Sequence, residues 1–166
     1  MTLKERVISK EINRLMWHSG KTISTAESCS CGRLATLRSE YPGSSEYFRG
    51  GIVCYTDEMK AAYLGISGEL LREKTAVCEE VAIGMVEGSI RMFGTDYAVA
   101  MTGVAGPGGA TPDNPVGSIW VAFGKTNHVE TFHFLTDEGR DLNVQNAVYG
   151  VMKMFLRFLK DELKKE

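Results

Sequence analysis

The sequence lacks any apolar run approaching the roughly 20 residues that a membrane-spanning helix needs, so we expect no membrane partner. It also lacks an excess of either charge: 19 basic and 21 acidic residues give a formal net charge of −2. That balance removes the usual electrostatic reason for binding nucleic acid, so no nucleic-acid partner is expected either. Three of the first six residues are charged and the start shows no apolar segment of a signal peptide, which predicts a cytoplasmic location.

Cysteine is scarce, and the four cysteines do not have the spacing of a zinc site. Cys29 and Cys31 form C-x-C rather than C-x-x-C, and no second close pair or nearby histidine completes a metal shell. We therefore predict no metal and no other cofactor, and we expect reduced thiols. A redox role for Cys29 and Cys31 stays open, because a helix N-terminus beside Cys31 lowers the pKa of a thiol.

Repeats, low-complexity tracts and linkers are absent, so the 166 residues predict a single domain over 1–166. Apolar periodicity predicts helices over 3–19, 30–40, 57–64, 79–92 and about 141–164. Strands are predicted over 22–26, 51–55, 97–101, 116–123 and 129–134, with 51–55 buried on both faces. The fold class is α/β: a three-layer α/β/α sandwich whose mixed, mostly parallel sheet includes one antiparallel hairpin. Ligands of such sheets bind at the carboxyl ends of the strands, here after Ala26, Tyr55 and Met101.

The first strand end continues as Ala26–Gly32, a segment that runs into a helix and contains Ser28 and Ser30. Hydroxyl groups beside free backbone N–H groups and the positive end of a helix dipole can bind an anion or stabilise an oxyanion. The alternative is that Ser28 or Ser30 only caps the helix.

The second strand end contains Tyr55 and Lys60, with Thr56 or Asp57 as a good N-cap between them. A lysine in the first helical turn can reach back to the strand ends and act as a general base, and a tyrosine can relay a proton. The alternative is a solvated surface lysine and a half-buried tyrosine.

The third strand end begins the segment 102–117, which holds three of the four prolines and many glycines. It matches neither the P-loop nor the dinucleotide-binding glycine pattern. Long loops of this kind are more often functional than not, and their backbone N–H groups can face a ligand. A plain long turn is the alternative.

The histidines give no Ser-His-Asp triad. His18 ends the first helix, and His128 and His133 lie in or beside the hairpin, where alternation predicts that His133 faces solvent. If Ser28 is a nucleophile, Lys60 rather than a histidine is therefore the candidate for its base.

These segments together resemble the C-terminal domain of the CinA family of nicotinamide-nucleotide amidohydrolases, or NMN deamidases. The matching stretches are Ala26–Gly32, Gly50–Gly65 and Thr102–Gly117, and the stretch 75–82 resembles a fourth family segment. The resemblance runs in order over nearly the whole chain. It implies an enzyme that hydrolyses the carboxamide of nicotinamide mononucleotide to nicotinate mononucleotide and ammonia. Family members are often oligomeric, so a homo-oligomer is expected.

Carried over motif by motif, the resemblance assigns Ser28 as the nucleophile, Lys60 as its base and Tyr55 as a proton donor to the leaving ammonia. Backbone N–H groups after Ser28 would form the oxyanion hole. The nucleotide substrate would contact a larger set of residues: Ser30, Cys31, Gly32, Thr102, Gly103, Ala105, Gly106, Gly108 and Gly109. Arg140, before the last helix, would meet the phosphate unless it is a plain surface charge.

Several positions depart from the family pattern, and three of them bear on activity. Cys31 replaces a glycine, Asp57 replaces an asparagine near Lys60, and Asn114 replaces a lysine. A carboxylate close to Lys60 would favour the charged amine and weaken it as a base. The alternative function is therefore a catalytically impaired nucleotide-binding protein of the same fold.

Overall fold

The computed structural model describes residues 3–165, which form five strands and six α-helices. The strands are β1 (Ile23–Glu27), β2 (Phe48–Val53), β3 (Tyr97–Gly103), β4 (Ser118–Lys125) and β5 (His128–Leu135). The helices are α1 (Leu3–Ser19), α2 (Arg33–Ser39), α3 (Asp57–Leu64), α4 (Gly68–Lys74), α5 (Glu79–Phe93) and α6 (Arg140–Leu163). None of these helices is long and apolar enough to cross a membrane.

The strands form one sheet in the order β2-β1-β3-β4-β5. Strand β1 pairs in parallel with both β2 and β3, whereas β4 pairs antiparallel with β3 and β5. Four strands therefore run in one direction and only β4 runs in the other. The β4–β5 hairpin turns at Thr126 and Asn127, and Asn127 adopts the positive φ of 64° that asparagine tolerates. The predicted mixed, mostly parallel sheet with one hairpin is confirmed.

Helices cover both faces of the sheet, because the side chains of β3 alternate between two separate cores. Val99 and Met101 pack with residues of α1, α2 and α6, whereas Ala98 and Ala100 pack with residues of α3, α4 and α5. The three-layer α/β/α arrangement is confirmed.

Strand β2 differs from its prediction in position and in burial. It covers Phe48–Val53 and lies at the edge of the sheet, where its residues alternate between half-buried and exposed. An apolar run alone does not distinguish a central strand from an edge strand. Close pairing explains a glycine here, since a Cβ on Gly51 would lie 2.2 Å from the Thr25 hydroxyl oxygen.

Two helices also differ from the prediction. Helix α2 begins at Arg33 rather than at residue 30, because Cys31 and Gly32 have positive φ angles of 49° and 93° that cannot continue a helix. Helix α4 was not predicted, although Ser67 caps it by accepting a hydrogen bond from the Leu70 N–H.

Candidate active site

A cavity of about 440 Å³ lies at the carboxyl ends of β1, β2 and β3, within the size range of small-molecule sites. All three predicted strand-end segments contribute to it, as sheet topology led us to expect. The residues lining it are Ser28, Cys29, Tyr55, Asp57, Lys60, Ala76, Val77, Thr102, Gly103, Val104, Ala105, Gly106, Gly108, Gly109 and Arg140.

Ser28 is the first residue after β1 and lines the cavity while being only 7% exposed. Its backbone is held at both ends: its N–H donates to the Met101 carbonyl at 3.0 Å, and its carbonyl accepts from the Cys31 N–H at 3.2 Å. Both of these N–H groups are therefore engaged. If an oxyanion forms beside Ser28, the N–H groups of Cys29 and Ser30 are the candidate donors that directly follow it in the chain.

The segment after Ser28 is organised by Glu27, whose buried carboxylate caps α2 from outside the helix. One carboxylate oxygen of Glu27, Oε2, accepts from the Ser30 hydroxyl at 2.7 Å, the Gly32 N–H at 2.9 Å and the Leu34 N–H at 3.1 Å. The other oxygen, Oε1, accepts from the Ala35 N–H at 2.8 Å. The predicted serine cap is therefore wrong, and the predicted anion site at this helix end is already filled by the carboxylate of the chain itself.

Ser30, Cys31 and Gly32 are outside the set of residues that line the cavity. Ser30 and Gly32 donate to Glu27, and Cys31 is exposed. The positive φ of 49° at Cys31 explains why a glycine suits this position, since a non-glycine residue there costs roughly 1–2 kcal/mol. The departure at Cys31 thus strains the turn backbone rather than filling the cavity.

Lys60 is buried, so its interpretation as a solvated surface lysine is wrong. Thr56 caps α3 by accepting from the Met59 N–H, and this places the Lys60 side chain, 2% exposed, over the preceding segment. Its Nζ donates to the Tyr55 carbonyl at 3.3 Å and lies 3.6 Å from the Asp57 carboxylate. The sequence raised the question of whether Asp57 lies close to Lys60, and the structure shows that the two side chains are in contact.

The third segment brings Thr102 and the glycine-rich loop to the cavity. The buried hydroxyl of Thr102 donates to the Ala76 carbonyl at 2.8 Å and so ties the end of β3 to the segment before α5. Gly103 is required for close packing, because a Cβ there would lie 2.5 Å from the Ser118 carbonyl oxygen.

Arg140 joins two walls of the cavity at its mouth. Its Nη1 donates to the Gly106 carbonyl at 2.9 Å and its Nη2 donates to the Tyr55 hydroxyl at 3.5 Å. Tyr55 is 57% exposed rather than half-buried, so its hydroxyl reaches this mouth. The structure therefore brings Arg140, Tyr55 and Lys60 to one cavity with Ser28.

The sequence and the fold of this chain are similar to those of known proteins. The sequence matches the CinA C-terminal domain family over residues 5–159. The chain belongs to the CinA family. It is 37% identical over 147 residues to a CinA-like protein of Leptospira borgpetersenii, a match that covers 86% of this chain and 35% of the relative. A CinA-like protein of Synechocystis is 37% identical over 135 residues, covering 81% of this chain and 32% of the relative.

A crystal structure of the competence/damage inducible protein CihA from Agrobacterium tumefaciens superposes with a TM-score of 0.90 at 32% identity. That match covers 96% of this CinA-family chain and 99% of the other. By contrast, the chain spans about a third of the length of the two curated relatives described above.

Cysteine chemistry in this CinA domain is limited by burial. Cys29 is buried, and burial raises the pKa of its thiol to about 12, so it stays protonated and unreactive at neutral pH. Cys29 and Cys31 therefore differ sharply in access. Among residues 3–165, no three His, Cys, Asp or Glu side chains gather in an arrangement that could hold a metal ion.

The structural roles of Glu27 and His133 were not predicted from the sequence. Glu27 carried a usable signal, because a carboxylate just before a helix N-terminus is a favourable partner for free N–H groups. His133 was predicted to face solvent, but it is half-buried and its Nε2 lies 2.8 Å from the Ser118 hydroxyl. Alternation with Phe132 and Phe134 assigns His133 to the other face of β5, and helix α5 covers that face too.

Proposed function

We propose that this chain is an amidohydrolase that converts nicotinamide mononucleotide to nicotinate mononucleotide and ammonia. The observation that carries the proposal is the gathering of Ser28, Lys60 and Tyr55 at one cavity, with Arg140 at its mouth. A serine hydroxyl and a buried amine that line one cavity are the groups that serine-lysine acyl transfer needs. The family resemblance supplies the substrate, and the cavity volume of about 440 Å³ is compatible with a mononucleotide.

In the proposed reaction, the Ser28 hydroxyl oxygen attacks the carboxamide carbon and its proton passes to the neutral amine of Lys60. The N–H groups of Cys29 and Ser30 stabilise the oxyanion that forms. The carbon–nitrogen bond then breaks, and a proton delivered through Tyr55 allows ammonia to leave. A water molecule hydrolyses the resulting ester, which restores Ser28 and releases the carboxylate product.

The phosphate of the substrate is assigned to Arg140, the guanidinium at the mouth of the cavity. A planar guanidinium can bind two phosphate oxygens in a forked contact. Arg140 presently donates to the Gly106 carbonyl and to the Tyr55 hydroxyl. Phosphate binding would therefore replace two neutral acceptors with a charged one and would leave Tyr55 free for proton transfer.

Nucleotide binding without turnover is a second candidate function, and one observation favours it. The Asp57 carboxylate lies 3.6 Å from Lys60 Nζ, so the nitrogen of the proposed base is held in an ion pair. A protein with this contact retains the cavity and the guanidinium at its mouth for nucleotide binding.

Ammonia release from nicotinamide mononucleotide, measured beside calorimetric binding of the same nucleotide, tests both candidates. Turnover in the parent that is lost in Ser28→Ala and Lys60→Met supports the amidohydrolase. Ser45→Ala, an exposed serine remote from the cavity lining, is the matched control and should keep full activity. Saturable binding without ammonia release supports the binding protein instead, and neither binding nor turnover rejects both.

A further inference from the structure

Four polar side chains link the glycine-rich loop to the opposite wall of the cavity. Asn114 Nδ2 donates to the Thr75 hydroxyl oxygen at 3.4 Å, and the Ser118 hydroxyl donates to Asn114 Oδ1 at 3.3 Å. His133 Nε2 lies 2.8 Å from the same Ser118 hydroxyl. This Thr75–His133 chain, made of Thr75, Asn114, Ser118 and His133, begins on β5 and ends beside Ala76, which lines the cavity.

The His133 end of the Thr75–His133 chain is rigid, because strands β4 and β5 together fix the His133 ring. His133 on β5 is the register partner of Trp120 on β4, and the two rings stack at 4.4 Å with an interplanar angle of 1°. Ser118 lies two residues before Trp120 on the same face of β4, so the diagonal neighbour of His133 is a fully buried hydroxyl. The stacked ring therefore holds its Nε2 toward Ser118.

The hydrogen bonds of the Thr75–His133 chain all donate in the same direction, from His133 toward Thr75. The Asn114 amide nitrogen faces Thr75, so its oxygen has to accept from Ser118, whose hydroxyl carries only one hydrogen. His133 must then donate to Ser118 through a protonated Nε2. Burial lowers the pKa of His133, which favours a neutral ring at neutral pH and therefore this single tautomer.

The Thr75 end of the Thr75–His133 chain supports a strained segment of the cavity wall. Thr75 has a φ of 64°, a region that a β-branched residue adopts only when its surroundings hold it there. The next two residues, Ala76 and Val77, line the cavity, and the Ala76 carbonyl accepts from the Thr102 hydroxyl. Release of Thr75 would therefore disturb the wall that faces the loop.

We propose that His133 is a positioning residue that acts through Ser118 and Asn114 to fix the spacing between the glycine-rich loop and the Thr75–Val77 wall. This spacing sets how tightly the cavity fits its ligand. The identity of that ligand as a mononucleotide rests on the proposed function, whereas the mechanical role of the chain does not.

Hydrogen–deuterium exchange in the free protein tests the mechanical role without a substrate. His133→Phe keeps an aromatic ring on Trp120 but removes the donor, and Asn114→Ala removes the middle of the chain. Each is expected to speed exchange at the amides of Val77 and Gly117 by about 5-fold, with the double variant no faster than the faster single one. That non-additivity is expected because both side chains belong to the same Thr75–His133 chain, and breaking this chain at a second point has no further effect.

Two further variants complete the exchange experiment. His133→Gln, which retains a donor able to reach Ser118, should restore slow exchange, and His18→Phe on α1 should leave it unchanged. Unchanged exchange in His133→Phe, or single-variant effects that add fully in the double variant, would overturn the proposal.

Kinetics with nicotinamide mononucleotide separate positioning from chemistry. His133→Phe should raise KM by about 5-fold and leave kcat within about 2-fold, because the fit of the ligand changes and the reacting groups do not. A fall in kcat at constant KM would contradict the positioning role. If the parent shows no turnover, the proposed amidohydrolase function fails. The exchange result still decides whether the Thr75–His133 chain holds the Thr75–Val77 wall.

Discussion

Replacing Glu27 by glutamine tests whether this buried carboxylate holds the turn that follows the candidate nucleophile. A glutamine keeps the shape but offers one oxygen instead of two. If that oxygen takes the position with three donors, the Ala35 N–H loses its partner and faces an amide group that can only donate. Loss of one charge-assisted hydrogen bond costs about 1.5–3 kcal/mol, and the remaining bonds lose their charge assistance.

The charge of Glu27 also interacts with the N-terminus of α2, a contribution of up to about 2 kcal/mol in a partly buried geometry. A lower desolvation penalty for the neutral amide offsets part of the loss. We therefore expect the free energy of unfolding to fall by about 3 kcal/mol. At a urea m-value of about 2 kcal/mol/M, the midpoint moves down by about 1.5 M.

Urea unfolding followed by circular dichroism measures this shift. Glu87→Gln, an exposed carboxylate on α5, is the control and should change stability by less than about 0.5 kcal/mol. Ser30→Ala removes one of the hydrogen bonds to Glu27, so its loss of stability should lie between those of Glu27→Gln and Glu87→Gln. A loss below about 1 kcal/mol for Glu27→Gln would refute the role assigned to the carboxylate.

Three other predictions follow from individual contacts. Asp57→Asn removes the carboxylate 3.6 Å from Lys60 Nζ and frees the nitrogen of the proposed base from its ion pair, so kcat for ammonia release should rise several-fold; an unchanged kcat would contradict a role for this contact. Hydrogen bonding, first from Lys125, lowers the pKa of Glu162 to about 2, so the stability it adds is complete above its ordinary pKa and disappears as the pH falls from about 5 to about 2. Urea midpoints at pH 7 and pH 2 should therefore show Glu162→Gln less stable than the parent only at pH 7. Iodoacetamide at pH 8 should label Cys31 in the native protein and Cys29 only after unfolding, because burial keeps the Cys29 thiol protonated; mass spectrometry of the native protein showing labelled Cys29 would contradict this.

Much of the fold was predictable because the local signals were strong. The helix over 3–19 and the helix over 57–64 have their predicted bounds, since apolar periodicity and the Gly20 and Gly65 stops agree there. The hairpin was predictable from the turn residues between β4 and β5. The edge position of β2 was not predictable, because strand order depends on contacts between segments that are distant in sequence.

The candidate site divides in the same way. Ser28, Lys60 and the glycine-rich loop were recognisable as strand-end residues before their positions were known. The roles of Ser30 and Gly32 were not, because a single carboxylate oxygen of Glu27 binds donors three and five residues further along the chain. Spacing alone does not show whether a free N–H group near a helix start faces a ligand or a side chain of the protein.

The alternation of helices and strands, the family, and the three segments that meet at the ends of β1, β2 and β3 can all be recognised in the sequence. Those features follow from local periodicity, turn residues and motif order, which act over a few residues. Three features become visible only in the folded protein: Lys60 is buried near Asp57, the Glu27 carboxylate occupies the start of α2, and His133 connects to Asn114 through Ser118. These outcomes depend on distances between atoms of separate segments, and packing sets those distances.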